Sequence, residues 1–295
     1  MNGVINIYKE KGITSFGVVH AVKKILNIKK CGHTGTLDPI AEGVLAVCVN
    51  EATKLSDYLM AEDKEYVVSV RLGIKSDSYD ITGDITDRSD YIPDIKDIKT
   101  LCRTIIGERV YKIPAYSAVK IGGKRAYKLA RAGEIKDAGE RKMTIFSVDV
   151  LSYDYPHLVA KIFCKKGTYI RSIVDFFGEK LGCFAVMEHL IRTKNGVFES
   201  RDALRLHEIE EMTKKGDFSF IKGLDKIIKW PKCVIKEDWI EKYLNGVGIP
   251  KNGFINLPIE DAGMFWITSL RGDILGFARK NEGSVFPLKV LKVFK

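Results

Sequence analysis

RKMTIFSVDVLSYDYPHLVAKIFCKKGTYIRSIVDFFGEKLG, residues 141–182, decides the fold class. Its first two runs, 141–155 and 157–167, read as strands that pair with each other, and TYIRSIVDFFGEKLG (168–182) reads as a helix closing at Gly182. Strand following strand as often as strand following helix predicts an α+β fold, not a doubly wound α/β sheet.

Towards the amino terminus, ITSFGVVHAVKKILNIKK (13–30) predicts a helix, with Thr14 or Ser15 as N-cap. Its apolar face carries Val18, Val19, Val22, Ile25 and Leu26. GVLAVCVNEATKLSDYL (43–59) begins as a buried strand and passes into a short helix, KEYVVSVRLGI (64–74) alternates as a strand, and SDSYDITGD (76–84) is a polar loop. IKTLCRTIIGERV (98–110) predicts another helix. Towards the carboxy terminus the helical signal stops at Pro231. A short helix in EDWIEKYLNG (237–246) is then followed by strand-like runs at 264–270, 273–279 and 286–294, with hairpin signals at Arg271-Gly272-Asp273 and Glu282-Gly283. This organisation predicts a large domain over 1–230 and a compact β-rich one over 231–295.

The 295 residues are 45% hydrophobic, enough for a packed interior, and lysine plus arginine exceed aspartate plus glutamate by ten. That excess suits a polyanionic partner, or else a merely solvated basic surface. Six scattered cysteines without a CxxC predict neither a disulfide framework nor a zinc knuckle, and the expectation is free, mostly buried thiols. The opening MNGVINIYKEKG lacks an export-type apolar segment and no run approaches 18 apolar residues, so the chain is expected to be cytoplasmic, with no membrane contact.

The chemistry concentrates in GHTGTLDPIAEG (32–43). An aspartate is ionised at neutral pH and needs no neighbouring base to act as a nucleophile. Gly32, Gly35 and Gly43 permit positive φ or close approach to a ligand, and Pro39 fixes the backbone after the acid. Asp38 is thus either a nucleophile or an ordinary turn residue ahead of proline. Neither the GxxxxGK[ST] nor the GxGxxG phosphate pattern is present, and Cys31 with His33 supplies at most two metal ligands. Lys120, Lys124, Arg125, Lys128 and Arg131, interleaved with Tyr116 and Tyr127, form either an RNA-binding run or a solvated helix face.

Five blocks in order, 32–59, 64–83, 113–133, 166–182 and HLIRTKNGVF (189–198), closely resemble the motifs of the TruB family of tRNA pseudouridine synthases. The resemblance implies a pseudouridine synthase fold with a central, largely antiparallel or mixed sheet. It implies conversion of the T-loop uridine, position 55 in tRNA numbering, to pseudouridine by base flipping. Asp38 would be the nucleophile, Tyr66 would pack on the base and help remove the C5 proton, and Arg171 would pair with Asp38. His33 would fill the place of the flipped base and Leu190 would line the pocket, with Tyr169 and Lys64 as further pocket residues. Asp80 would shape the RNA-facing loop, Lys120, Lys124 and Arg125 would contact the T arm, and Arg192 would bind substrate. No metal or cofactor is implied. The partner is tRNA through its T stem-loop, with no obligate protein partner and a monomeric enzyme.

Two departures from the family pattern stand out: Glu10 replaces the usual proline of KPxGxTS, and Ile191 replaces an arginine of LRRT. The tail resembles a PUA-like RNA-binding domain, either an RNA clamp or a packed appendage. Taken without the resemblance, Arg171 is equally an i,i+4 partner of Asp175, Tyr66 a half-buried strand residue and His33 a surface donor. A noncatalytic RNA-binding or tRNA chaperone protein would share the basic surface but would not need the set Asp38, Tyr66 and Arg171. Whether such an aspartate attacks C6 of the base or C1′ of the ribose is open at the level of sequence.

Overall fold

The computed structural model describes residues 2–117, 119–135, 137–258, 263–282 and 284–294. In chain order the first part contains β1 (Gly3–Lys9), α1 (Ser15–Leu26), β2 (Cys31–His33), β3 (Glu42–Val49), α2 (Ser56–Met60), β4 (Lys64–Leu72), β5 (Ile74–Ser76), β6 (Ile85–Arg88), α3 (Ile95–Thr104) and β7 (Gly107–Lys112). There follow β8 (Lys120–Ile121), β9 (Lys124–Arg125), α4 (Ala126–Arg131), β10 (Glu140–Asp154), β11 (His157–Cys164), α5 (Ile170–Leu181), β12 (Ala185–Asn195), β13 (Phe198–Glu199), α6 (Leu206–Lys214) and α7 (Leu224–Ile227). The carboxy-terminal part holds β14 (Lys232–Ile235), α8 (Glu237–Leu244), β15 (Phe254–Asn256), β16 (Met264–Thr268), β17 (Ile274–Lys280) and β18 (Leu288–Val293).

A nine-stranded sheet organises the larger part in the order β1-β3-β12-β4-β11-β10-β7, with β2 added to β3 and β13 to β12. It is antiparallel throughout except where β12 runs parallel to β3, with Ile191 opposite Glu42 and Arg192 opposite Gly43. The α+β expectation and the mixed central sheet are what the chain adopts. In β4 the side chains at 64, 66, 68, 70 and 72 are buried while those between them are less so. That period-2 pattern turns Val68, Val70 and Leu72 onto Ile98 and Cys102 of α3 and onto Ile173, Val174 and Phe177 of α5. By contrast β3 is buried on both faces, which is why its sequence is a continuous apolar run. Leu45 and Val47 pack under α1 and α6, and Val44 and Ala46 pack towards the tail.

The tail forms a five-stranded sheet, β15-β14-β16-β17-β18. Trp266, Phe277 and Phe294 share a core with Val44 and Ala46 of β3, and Trp266 Nε1 donates to Ile228 O at 3.0 Å. This sheet is therefore packed against the larger body through a common apolar cluster, not suspended from a linker.

Thr14 is the N-cap of α1, its hydroxyl accepting from Gly17 N at 2.9 Å, and Asn27 closes the helix in the left-handed region. Two local expectations need correction. The helix anticipated over 98–110 stops at Thr104, because Gly107 takes φ +104° and the chain leaves as β7 to pair with β10. Lys120, Lys124 and Arg125 lie on the small β8–β9 hairpin and only Lys128 and Arg131 on a helix, since Gly122 and Gly123 both adopt positive φ and reverse the chain. The turn at Arg271-Gly272-Asp273 joins β16 to β17, with Gly272 at φ +89°. The hairpin signal at Gly283 lies outside the described residues.

Candidate active site

Three non-contiguous segments meet at the carboxyl end of β2 and the start of β3. The first is the loop bearing Asp38. Ala41 N donates to Asp38 O at 3.0 Å, so Asp38 opens a tight turn with Pro39 in its second position. The loop is held from behind by residues of the amino-terminal segment. Gly12 N donates to Pro39 O at 2.8 Å. Ser15 Oγ donates to Leu37 O at 3.0 Å and accepts from Leu37 N at 2.8 Å. Lys9 Nζ, fully buried, donates to Ala41 O at 2.5 Å and Glu10 O at 3.1 Å. Burial pushes the Lys9 ammonium down to about 8, opposed by attraction to Asp38. Glu10 itself forms an ion pair with Arg205 at the surface, so the loop is braced by backbone and buried side-chain contacts despite the absence of the usual proline.

The second segment is the start of α5. Arg171 is only 6% exposed and its guanidinium serves four acceptors. Nη2 lies 3.0 Å from Asp38 Oδ2 and donates to Tyr116 O at 2.9 Å, while Nη1 donates to Asp80 Oδ2 at 3.3 Å and Ser78 O at 3.2 Å. Arg171 thus ties together the Asp38 loop, the polar loop after β5 and the segment before β8. Asp175, its i,i+4 neighbour, faces Lys75 at 3.9 Å instead. Asp80 is itself buried and fixed by Ser78 Oγ at 2.9 Å and Thr82 N at 3.0 Å. The Arg171–Asp80 pair is buried on both sides, and removing one partner of such a pair costs about 3–5 kcal/mol.

The third segment is the register of β12 against β4, which sets Arg192 opposite Tyr66 and Leu190 opposite Val68. Arg192, 1% exposed, donates from Nε to Val44 O at 2.7 Å and from Nη2 to Gly35 O at 3.1 Å. It is a buried strut of the Asp38 loop. Burial pushes the Tyr66 phenol up, with the Arg192 guanidinium opposing it. Gly43, at φ +102°, lets β3 come against β12: a Cβ there would lie 2.3 Å from Arg192 O. Its close approach is to protein backbone, and Gly32, inside β2, has no positive φ.

These segments enclose a cleft of about 860 Å³ lined by Asp38, Lys64, Tyr66, Tyr169, Arg171, Leu190 and Arg192, among others. Asp38, with 37% of its side chain exposed, also borders a second hollow of about 440 Å³ with Asp80, Tyr116, Arg131 and Arg171. Burial raises the Tyr169 phenol, against the influence of Arg141. Lys64 turns its ammonium to Met60 O at 2.8 Å and to Glu62 O, and burial lowers it to about 8. His33 stands on β2 outside the cleft lining, its Nδ1 accepting from Gly35 N at 3.3 Å, and burial followed by Arg192 pushes its imidazole down. Lys120, Lys124 and Arg125 are exposed and likewise outside the lining. Among the described residues no group of three His, Cys, Asp or Glu side chains is placed to hold a metal ion.

Sequence reading missed Lys9 and the loop-bracing part of Ser15, and it missed Arg141, Lys165 and Lys166 on the cleft wall. For Lys9 a usable signal existed, a lone lysine ending the apolar run of β1. A carboxylate paired with a buried guanidinium, beside two aromatic rings in an open cleft, suits covalent chemistry on a ring-bearing substrate.

Residues 23–170 match the TruB family pseudouridylate synthase N-terminal domain, and residues 171–229 match the tRNA pseudouridylate synthase B C-terminal domain. The chain belongs to the TruB family of tRNA pseudouridine synthases, which are isomerases. It is similar to tRNA pseudouridine synthase B of Clostridium kluyveri, 35% identical over 295 residues and 100% of both chains. The counterpart in Clostridium tetani is 41% identical over 84% of this chain and 86% of its own. Among solved structures, a Cbf5-Nop10-Gar1 complex contains a chain that aligns with TM-score 0.72 and 26% identity over 99% of this chain and 85% of that one. The Cbf5 fold therefore extends over nearly the whole molecule, including the carboxy-terminal sheet.

Proposed function

We propose that this synthase converts uridine 55 in the T loop of tRNA to pseudouridine, acting on a nucleotide flipped out of the RNA and using Asp38 as its nucleophile. The reaction breaks the N1–C1′ bond and joins C1′ to C5 of the same uracil. One carboxylate that adds and leaves, and one acceptor for the C5 proton, are sufficient chemistry, with no redox change. The observation that carries the reading is the 3.0 Å contact of Arg171 with Asp38 at the edge of a cleft walled by Tyr66, Tyr169 and Leu190.

Roles follow from position. Arg171 aims Asp38, with Asp80 steadying the guanidinium. Tyr66, uncharged because burial raises its phenol, packs on the uracil and relays the C5 proton. Unstacking a base costs a few kcal/mol, and His33 replaces the lost stack in the RNA with its planar ring. Residues 1–230 carry the catalysis and 231–295 form a PUA-like clamp, with Lys120, Lys124 and Arg125 on the T arm. The enzyme works in the cytoplasm as a monomer, without an obligate protein partner.

The test incubates unmodified tRNA with the parent protein and with Asp38→Asn and maps pseudouridine by carbodiimide labelling. The expected result is product at position 55 from the parent alone and RNA binding by both. Product from Asp38→Asn removes the nucleophile assignment. Binding without product from either protein favours the noncatalytic RNA-binding or chaperone reading.

A further inference from the structure

Among the described residues, seven cations and two carboxylates line the main cleft. Four of the cations are already engaged. Arg171 holds Asp38, Lys142 meets Glu108 at 3.0 Å, and the buried Lys64 and Arg192 point to backbone carbonyls. Arg141, Lys165 and Lys166 are exposed, and no carboxylate of the described residues lies within ion-pair distance of any of them.

Their backbone is tied down by hydrogen bonds. Arg141 lies near the start of β10, and Lys165 and Lys166 follow β11 in a turn completed by Gly167 at φ +77°. Lys165 N donates to Thr144 O at 2.9 Å and Thr168 Oγ1 donates to Lys165 O at 2.7 Å, pinning the turn to β10. Arg141 Nη1 stands 3.5 Å from where a Gly167 Cβ would be, so its guanidinium lies against that turn. Three like charges held together without counter-charge repel one another, and the arrangement is relieved by an incoming polyanion.

We propose that Arg141, Lys165 and Lys166 form a phosphate grip that holds the RNA backbone beside the target uridine, an inference that rests on the tRNA reading above. The grip reads no bases. It places the sugar–phosphate strand at the mouth of the cleft, whereas Lys120, Lys124 and Arg125, outside the lining, serve the body of the RNA. Each contact with a phosphate of a non-duplex strand releases about 0.7 of a counterion, so three contacts contribute about 2 to the salt slope of binding.

The test compares the full-length parent with Arg141→Gln/Lys165→Gln/Lys166→Gln and with the charge-retaining Arg141→Lys/Lys165→Arg/Lys166→Arg. Each is titrated with a T stem-loop RNA at several KCl concentrations and assayed for pseudouridine. The neutral triple variant is expected to have a log K against log salt slope shallower by about 2 and a KM at least tenfold higher at low salt. The charge-retaining triple is expected within threefold of the parent. An unchanged slope and KM in the neutral triple overturns the grip, as does a charge-retaining triple no better than the neutral one, which would mark a structural role. If the neutral triple does not fold, Lys166→Gln alone is read, with an expected slope change of about 0.7. A parent that binds but makes no pseudouridine sinks the synthase reading separately, and the slopes still judge the grip.

Discussion

Replacing Ser15 by alanine tests whether the amino-terminal segment holds the Asp38 loop in place for the proposed reaction. The Ser15 hydroxyl, 2% exposed, makes two hydrogen bonds to the backbone of Leu37, the residue before Asp38. Alanine leaves the N–H and C=O of Leu37 without these partners, and beside the open cleft each loss falls towards the lower end of about 1–3 kcal/mol, so about 2–4 kcal/mol for the two. At 1.4 kcal/mol per factor of ten, a loop that must regain its position on each turnover slows by roughly thirty- to several-hundredfold. The assay is single-turnover pseudouridine formation at saturating enzyme, with stem-loop affinity measured in parallel. Thr14→Ala is the control. It removes the N-cap of the same helix, for about 1 kcal/mol of stability, without touching Leu37, and its rate is expected within threefold of the parent. Equal rates for Ser15→Ala and Thr14→Ala would refute the argument, because helix fraying alone would then account for both.

Further outcomes follow from packing and titration. Gly43→Ala is expected to lose about 3–5 kcal/mol of stability in urea melts, from positive-φ strain and overlap with the Arg192 backbone, whereas Gly32→Ala, whose nearest new contact is 4.0 Å away, stays within about 1 kcal/mol. Similar losses at the two glycines would contradict the close-approach explanation. Burial raises the Asp175 carboxyl to about 6, only partly opposed by Lys75. Between about pH 4 and 6 the folded protein therefore keeps a proton that the unfolded chain releases, and stability falls as pH rises through that window and stays lower above it. Asp175→Asn is thus expected to gain about 2–3 kcal/mol at pH 7 and almost nothing at pH 4. A variant less stable than the parent at pH 7 would show that the Lys75 contact outweighs the burial cost.

Much of the fold was legible because burial leaves a local rhythm. The pairing of β10 with β11, the helix α1 with its threonine cap and the alternating β4 all follow from period and punctuation. The helix expected over 98–110 ran too far because its first half is helical and Gly107 alone marks the stop, while the pairing of 107–112 with β10 is decided by a strand far along the chain. The hairpin at Lys120–Arg125 is masked in the sequence because its two adjacent glycines sit inside a basic run whose charge spacing suits a helix face equally well. In the site, Asp38 drew notice from its glycine-rich neighbourhood, and the family motifs singled out Tyr66 and Arg171.

By itself the sequence determined the kinds of element, the α+β class, the basic balance and, through its ordered motifs, the family, since each of these is written in residue identity and spacing along the chain. Only the tertiary structure decided which charges are spoken for. Arg171 has Asp38, Asp80 and two carbonyls for neighbours, Arg192 is a buried strut, Ser15 and Lys9 brace the loop, and Arg141, Lys165 and Lys166 are left facing the cleft. The physical reason is that the partner of an ion or hydrogen-bonding group is chosen by sheet order and register. These bring β12 between β3 and β4 and set α5 beside a loop far away in sequence, and no local pattern encodes that meeting.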